Sequence, residues 1–250
     1  MRLHVSCLIV LALATAAGAQ TIPLADWGVS SPETLSQPSW YGSTGLVYTP
    51  SAMITPPLKI NGGVHRVDFD ETQTVYNANV ALASNIELGV ARIQDVAPAF
   101  GATNQVYTNE TIVNGKYKLD LSSWLGGIKA APEIAVGVWD AADSVNRSFY
   151  LVASMDLDVA KIAGVSGLKA HIGFAESERA TKNGDLKLGG MDGLFAGIEF
   201  VPIRNALLQV EYDTEDFNAA LRYFPTPLVA LEVGLIDGEL GFGASARTPL

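Results

Sequence analysis

The chain has 250 residues, 48% of them hydrophobic and only 17% charged, with a net charge of −10 and a single cysteine. That balance describes one sizeable folded unit rather than a disordered tail. It argues against a nucleic-acid partner, because a polyanion needs clustered Lys and Arg and the 16 present are scattered.

The chain opens as a secretory signal peptide: Arg2 supplies the positive start, Val5 to Ala16 an apolar run, and Ala17-Gly18-Ala19 a small-residue cleavage site. The run is shorter than the roughly 20 residues of a spanning helix. Residues 1–19 are therefore expected to be removed, and Cys7 with them. A mature chain without cysteine has no disulfide framework and no thiol chemistry.

Residues 20–42 hold Pro23, Pro32 and Pro38 with several serines and no sustained period, which reads as an extended N-terminal segment. Residues 43–250 read as the β-barrel domain. Twelve stretches there alternate apolar with small or polar residues between Gly, Pro, Asn and Asp: 58–69, 73–84, 86–96, 110–122, 133–140, 147–159, 168–178, 194–201, 206–214, 217–224, 228–236 and 239–247.

Successive strand side chains point to opposite faces. One face is almost wholly apolar, as in Ile86, Leu88 and Val90, in Phe149, Leu151 and Met155, or in Val229, Leu231, Val233 and Leu235. The other is small or charged, as in Glu87, Gly89 and Ala91, in Lys169, His171 and Gly173, or in Gln209 and Glu211. The alternation alone fits a soluble sandwich as well as a barrel with its apolar side in lipid. Strand lengths near the roughly 9 to 11 residues needed to cross a bilayer favour the barrel. A Gly- and Ala-rich polar face suited to a confined lumen favours it too. The expected fold is all-β, a closed antiparallel up-and-down transmembrane β-barrel of about 12 strands in the bacterial outer membrane, with lipid as a partner. Trp40, Tyr41, Tyr48, Phe69, Tyr107, Trp124, Trp139, Phe149 and Phe224 lie near strand ends and are expected to form interfacial girdles.

The lumen-side charges are the candidate functional residues: Glu87, Glu133, Glu199, Glu211 and Glu232 against Lys116, Lys118, Lys169 and Arg222. They suit either a selectivity lining or sugar contact surface, or a set of ion pairs that fills a narrow lumen. The acids Asp68, Asp70 and Glu71, and the pair Asp140 and Asp143, sit beside turns without calcium-loop spacing and read as loop charges rather than metal ligands. The residue inventory, with His65, His171 and many serines, allows a Ser and His pair of the kind an outer-membrane lipase uses. No G-x-S-x-G elbow, H-E-x-x-H helix, phosphate loop or dinucleotide fingerprint is present, so neither a catalytic site nor a cofactor is expected.

Three stretches carry a resemblance. Gly42-Ser43-Thr44-Gly45-Leu46-Val47-Tyr48-Thr49-Pro50-Ser51-Ala52 resembles the G-x-T-G-L-x-x-T-P-x-A signature of YjbH-like proteins, a family of outer-membrane β-barrels associated with exopolysaccharide production. The strand 132–140 resembles that family's P-x-x-A-x-G-x-x-D strand and 147–154 the strand that follows it, and Glu211-Tyr212-Asp213 followed by 218–223 resembles its E-Y-D then N-x-G-x-R-Y hairpin. Ala220 departs from the glycine of that pattern, and the chain is shorter than the larger members. The resemblance implies a barrel that assists export or surface assembly of an exopolysaccharide, with polysaccharide and export-machinery proteins as partners. A small-solute diffusion channel and a soluble periplasmic β-sandwich binding protein are the alternatives.

Overall fold

A computed structural model describes residues 37–68, 72–96, 109–120, 132–157, 168–178, 191–203 and 205–248. The expected signal peptide lies outside them, as do Phe69, Asp70, Glu71, Tyr107 and Trp124. Twelve strands follow in chain order: β1 Ile60–Asp68, β2 Thr72–Ala83, β3 Ile86–Val96, β4 Glu110–Leu119, β5 Glu133–Trp139 and β6 Ser148–Leu157. The second half comprises β7 Leu168–Ser177, β8 Gly193–Ile203, β9 Ala206–Tyr212, β10 Phe217–Thr226, β11 Val229–Ile236 and β12 Glu239–Arg247.

Each strand pairs antiparallel with its sequence neighbours, and β1 pairs with β12, from Asn61 opposite Arg247 to Val67 opposite Gly241, which closes the barrel. Closure gives every strand two partners and leaves no open sheet edge. Tight turns are written locally. Asp237 and Gly238, between β11 and β12, have φ of 48° and 81°, the paired positive φ of a two-residue turn whose twist matches its strands.

The polarity is inverted relative to a soluble protein. Phe149, Leu151, Ile172, Phe174, Leu194 and Phe242 are each more than half exposed on the outer wall. Glu87, Glu199, Glu211 and Arg222 are no more than 2% exposed inside. An apolar exterior around a charged interior is the arrangement of a barrel set in lipid, and it removes the soluble-sandwich alternative.

The expected aromatic girdle needs correction. Among its described members only Phe149 faces outward; Trp40, Tyr41, Trp139 and Phe224 are buried inside, and Tyr48 is half-buried against them. The exterior aromatics are instead Tyr76, Tyr117, Phe174, Phe217, Tyr223 and Phe242. Proximity to a strand end does not say which face a ring takes; the parity of its position along the strand does.

A second correction concerns the N-terminal segment. Residues 37–57 fill the lumen, with Trp40, Leu46, Val47 and Ala52 fully buried. The division drawn between Gly42 and Ser43 therefore falls inside one continuous plug, and the 42–52 signature belongs to it rather than to the wall. The segment enters at the end of the barrel where β1 begins and β12 finishes, with Gln37 accepting from Ser245 of β12. It rises until Tyr41 and Tyr48 meet Trp139 at the opposite end, and returns to Leu58 beside Ala81 of β2.

Candidate functional site: the plug and the lumen wall

The plug holds little regular structure of its own. Six internal main-chain bonds shape it: Ser39 N–H to Ser43 (2.6 Å), Trp40 N–H to Val47 (2.8 Å), Gly42 N–H to Ser39 (3.0 Å), Gly45 N–H to Gln37 (3.1 Å), Leu46 N–H to Thr49 (2.9 Å) and Ser51 N–H to Thr44 (3.1 Å). A chain folded this tightly leaves many amides and carbonyls without ladder partners, and in a buried setting each needs one. The lumen charges supply them.

Glu211 of β9 accepts from the N–H groups of Val47 (3.1 Å), Tyr48 (2.8 Å) and Thr49 (3.1 Å) and from the Thr49 hydroxyl (2.8 Å). Three consecutive amides converging on one carboxylate form an anion-binding concavity. Glu87 of β3 does the same on the other side, accepting from the N–H of Thr44 (2.8 Å) and of Thr55 (2.9 Å) and from the Thr44 hydroxyl.

Cations take the carbonyls. Lys116 Nζ donates to the carbonyls of Thr44 (2.8 Å) and Ser51 (3.2 Å) while lying 3.2 Å from Glu87. Arg222 donates to the carbonyls of Pro38 (3.2 Å) and Leu46 (2.9 Å) and pairs through Nε with Glu232. Glu232 also accepts from the Trp40 indole, whose ring stacks on His65 at 4.8 Å between centroids. Charge-assisted bonds are about twice as strong as neutral ones, and Glu87, Lys116, Glu211, Arg222 and Glu232 each find both a counter-ion or amide and a plug group.

Of the nine candidate residues, Glu87, Lys116, Glu211, Arg222 and Glu232 thus grip the plug. Glu199 acts one step back: it accepts from Gln209 (2.5 Å) and lies 3.4 Å from His171, which contacts Ser154 at 2.8 Å. Ser154 in turn accepts from the N–H of Ala52 (2.8 Å). The remaining three form ion pairs along the wall, Lys118 with Glu133 (2.5 Å) and Lys169 with Asp156 (3.1 Å).

Sequence reasoning missed the lumen amides. Asn77 donates to the carbonyls of Ser39 (2.8 Å) and Trp40 (3.1 Å), Asn114 to that of Tyr41 (2.5 Å), and Asn79 to the Thr44 hydroxyl (3.1 Å). Their signal was present: Asn77 and Asn79 stand two apart on β2, which puts both on the lumen face. Asp140, by contrast, caps its own turn, accepting from the N–H groups of Val145 (2.6 Å) and Asn146 (2.9 Å).

The signature residues have individual reasons. Gly42 has φ of +86°, and a Cβ there would lie 2.5 Å from the Val90 carbonyl oxygen; at Gly45 it would lie 2.1 Å from that of Thr49. Thr44 and Thr49 give their hydroxyls to Glu87 and Glu211, and Leu46 packs where Gly197 leaves room on β8.

Fold and site together define a 12-stranded closed barrel, apolar outside, whose lumen is occupied by its own N-terminal segment. The sequence pattern of the family described as "Exopolysaccharide biosynthesis protein YbjH" matches residues 37–225, from the start of the plug into β10. The chain belongs to this family. Comparison with curated proteins gives no match. Among solved structures the chain is similar to the KdgM porin, at 12% identity and a TM-score of 0.45, covering 77% of this chain and 99% of that one. It is also similar to the NanC porin, at 14% identity and a TM-score of 0.46, covering 77% and 100%. A third is outer membrane phospholipase A from Escherichia coli, at 11% identity and a TM-score of 0.38, covering 76% and 96%.

Proposed function

We propose that this protein resides in the bacterial outer membrane and assists export or surface assembly of an exopolysaccharide, as a barrel closed by its own plug rather than as a permanently open channel. The observation that carries the closed state is the double grip of Glu87 and Glu211 on residues 44–55. The polysaccharide role is supported by the family to which the chain belongs. Lipid on the outer wall, polysaccharide and export-machinery proteins are the partners of this reading. Nucleic acid is not among them.

The role is non-catalytic. Ser154, His171 and Glu199 stand in a row, yet the serine oxygen is engaged by the Ala52 amide and the group is buried behind the plug. A serine nucleophile needs an open approach for a carbonyl and donors for the oxyanion. Here the amide that reaches the oxygen belongs to the plug, so the row anchors the segment.

Loss of the protein should lower surface polysaccharide without changing general solute permeability. The barrel should fractionate with outer membranes, migrate faster unboiled than boiled, and show no steady conductance in a planar bilayer. Steady conductance of the intact chain would favour the diffusion channel instead.

A further inference from the structure

The wall closes without the plug. Every strand pairing, including the β1 to β12 seam, is made between wall strands. The main-chain pairing of the plug with the wall lies at its C-terminal hinge among the described residues, where Pro57 bridges Ala81 and the Leu58 N–H donates to the Ala81 carbonyl (3.0 Å). Leu58 there has φ of 65°, a left-handed conformation that a branched aliphatic residue adopts only where its surroundings impose it. Elsewhere the wall holds residues 38–55 by side chains: Glu87, Glu211, Lys116, Arg222, Asn77, Asn114 and Ser154.

This mode of attachment has a consequence for release. Withdrawal of a strand would break a ladder and expose an edge, whereas withdrawal of this segment breaks bonds to hydrophilic side chains that water entering the lumen can solvate in its place. Two charge pairs are already made within the wall, Glu87 with Lys116 and Glu232 with Arg222, so those four groups keep counter-ions once the segment is gone, and Glu211 keeps the Asn218 amide (3.2 Å). Small lumen residues, Gly89, Gly197 and Gly241, leave the space that Gly42, Leu46 and Trp40 now occupy.

From these relations we infer that residues 37–57 are a releasable gate hinged at Pro57 and Leu58, and that the barrel behind it is a polar, water-filled pore when the gate is out. The inference rests on the reading of the chain as a membrane barrel and adds to it a second, conducting state. The Trp40, Val47, Val67, Ala220 and Ile236 cluster and the two glutamate grips keep the closed state dominant at rest.

The test uses the full chain in planar bilayers, with potassium chloride as the probe. Ala52→Cys with Ser154→Cys introduces two thiols on neighbouring residues, the Ala52 N–H now lying 2.8 Å from the Ser154 oxygen. Oxidation should lock the gate and silence the protein; reduction should restore brief openings. Glu87→Gln with Glu211→Gln should raise the open fraction about tenfold or more, since each weakened charge-assisted contact biases the same equilibrium. Faster migration before boiling shows that each variant is a folded barrel. A folded glutamine variant as silent as the parent, or a cross-linked chain that conducts like its reduced form, overturns the gate. Should the glutamine variant not fold, the cysteine pair decides alone. Failure to fractionate with outer membranes would instead sink the membrane reading on which the gate rests.

Discussion

Glu211 and Thr49 are joined twice, the carboxylate accepting both the Thr49 N–H and its hydroxyl, at 3.1 and 2.8 Å. The carboxylate also takes the two preceding amides, so a single wall residue sets the turn of the plug nearest Trp139. Glu211→Ala should leave those amides unpartnered and cost on the order of 2 to 5 kcal/mol of plug seating. Protease cleavage within 37–57, followed with time in the folded barrel, should accelerate. Glu211→Gln keeps an acceptor oxygen and should fall between alanine and the parent. Equal protection in all three chains would show that Glu211 does not hold the plug.

Wall polarity makes the opposite demand. Val233 points outward at mid-strand on β11, between lumen-facing Glu232 and Gly234. Val233→Arg should place a charge in lipid at a cost of roughly 2 to 4 kcal/mol and block membrane assembly, and Val210→Arg on β9 should do the same. Glu211→Gln should assemble normally, whatever it does to the plug. Fractionation of the three variants checks this, and equal recovery of all three in the membrane would contradict the lipid-facing assignment.

Gly42 and Gly45 are barred from carrying a side chain by contacts under 3 Å to main-chain oxygens. Gly45→Ala should cost about 1 to 3 kcal/mol, because a carbonyl in a tight turn cannot swing away as a side chain can. Circular dichroism should still report the strands while the Trp40 environment, read by its fluorescence, becomes wetter. Unchanged fluorescence would mean that the turn relaxes freely.

The loop between β9 and β10 carries its own charge crowding. Glu215 is raised above the ordinary carboxylate range by partial burial first and then by Asp213, Asp216 and Asp237; Asp216 is raised by partial burial and then by Asp237 and Asp213. A carboxyl whose folded pKa is raised binds its proton more readily in the folded loop. Its effect on loop stability is therefore unfavourable above the raised pKa and relieved as pH falls through it. Asp237→Asn should bring Asp216 back toward ordinary carboxylate behaviour, as followed by carboxyl-carbon NMR titration in micelles. An unaltered titration would remove Asp237 from the cause.

The strands were readable from sequence because alternation is a local property. The stretches read as 86–96 and 239–247 coincide with β3 and β12, and the others depart from their strands by a few residues at the ends. The lumen charges were readable for the same reason: Glu87, Lys116 and Glu211 stand at alternate positions opposite an apolar face. Among the described aromatics the assignments other than Phe149 failed because they used nearness to strand ends rather than parity, and Trp139, two positions beyond lumen-facing Gly137, belongs inside.

The chain by itself determined that there would be twelve alternating strands, one apolar face, and a Gly- and Thr-rich signature between residues 42 and 52. Only the tertiary structure decided where that signature goes. Nothing periodic marks residues 37–57, since amides that no neighbour in sequence satisfies are taken by wall side chains as distant as 164 positions, and such pairing exists only after the wall has closed around them.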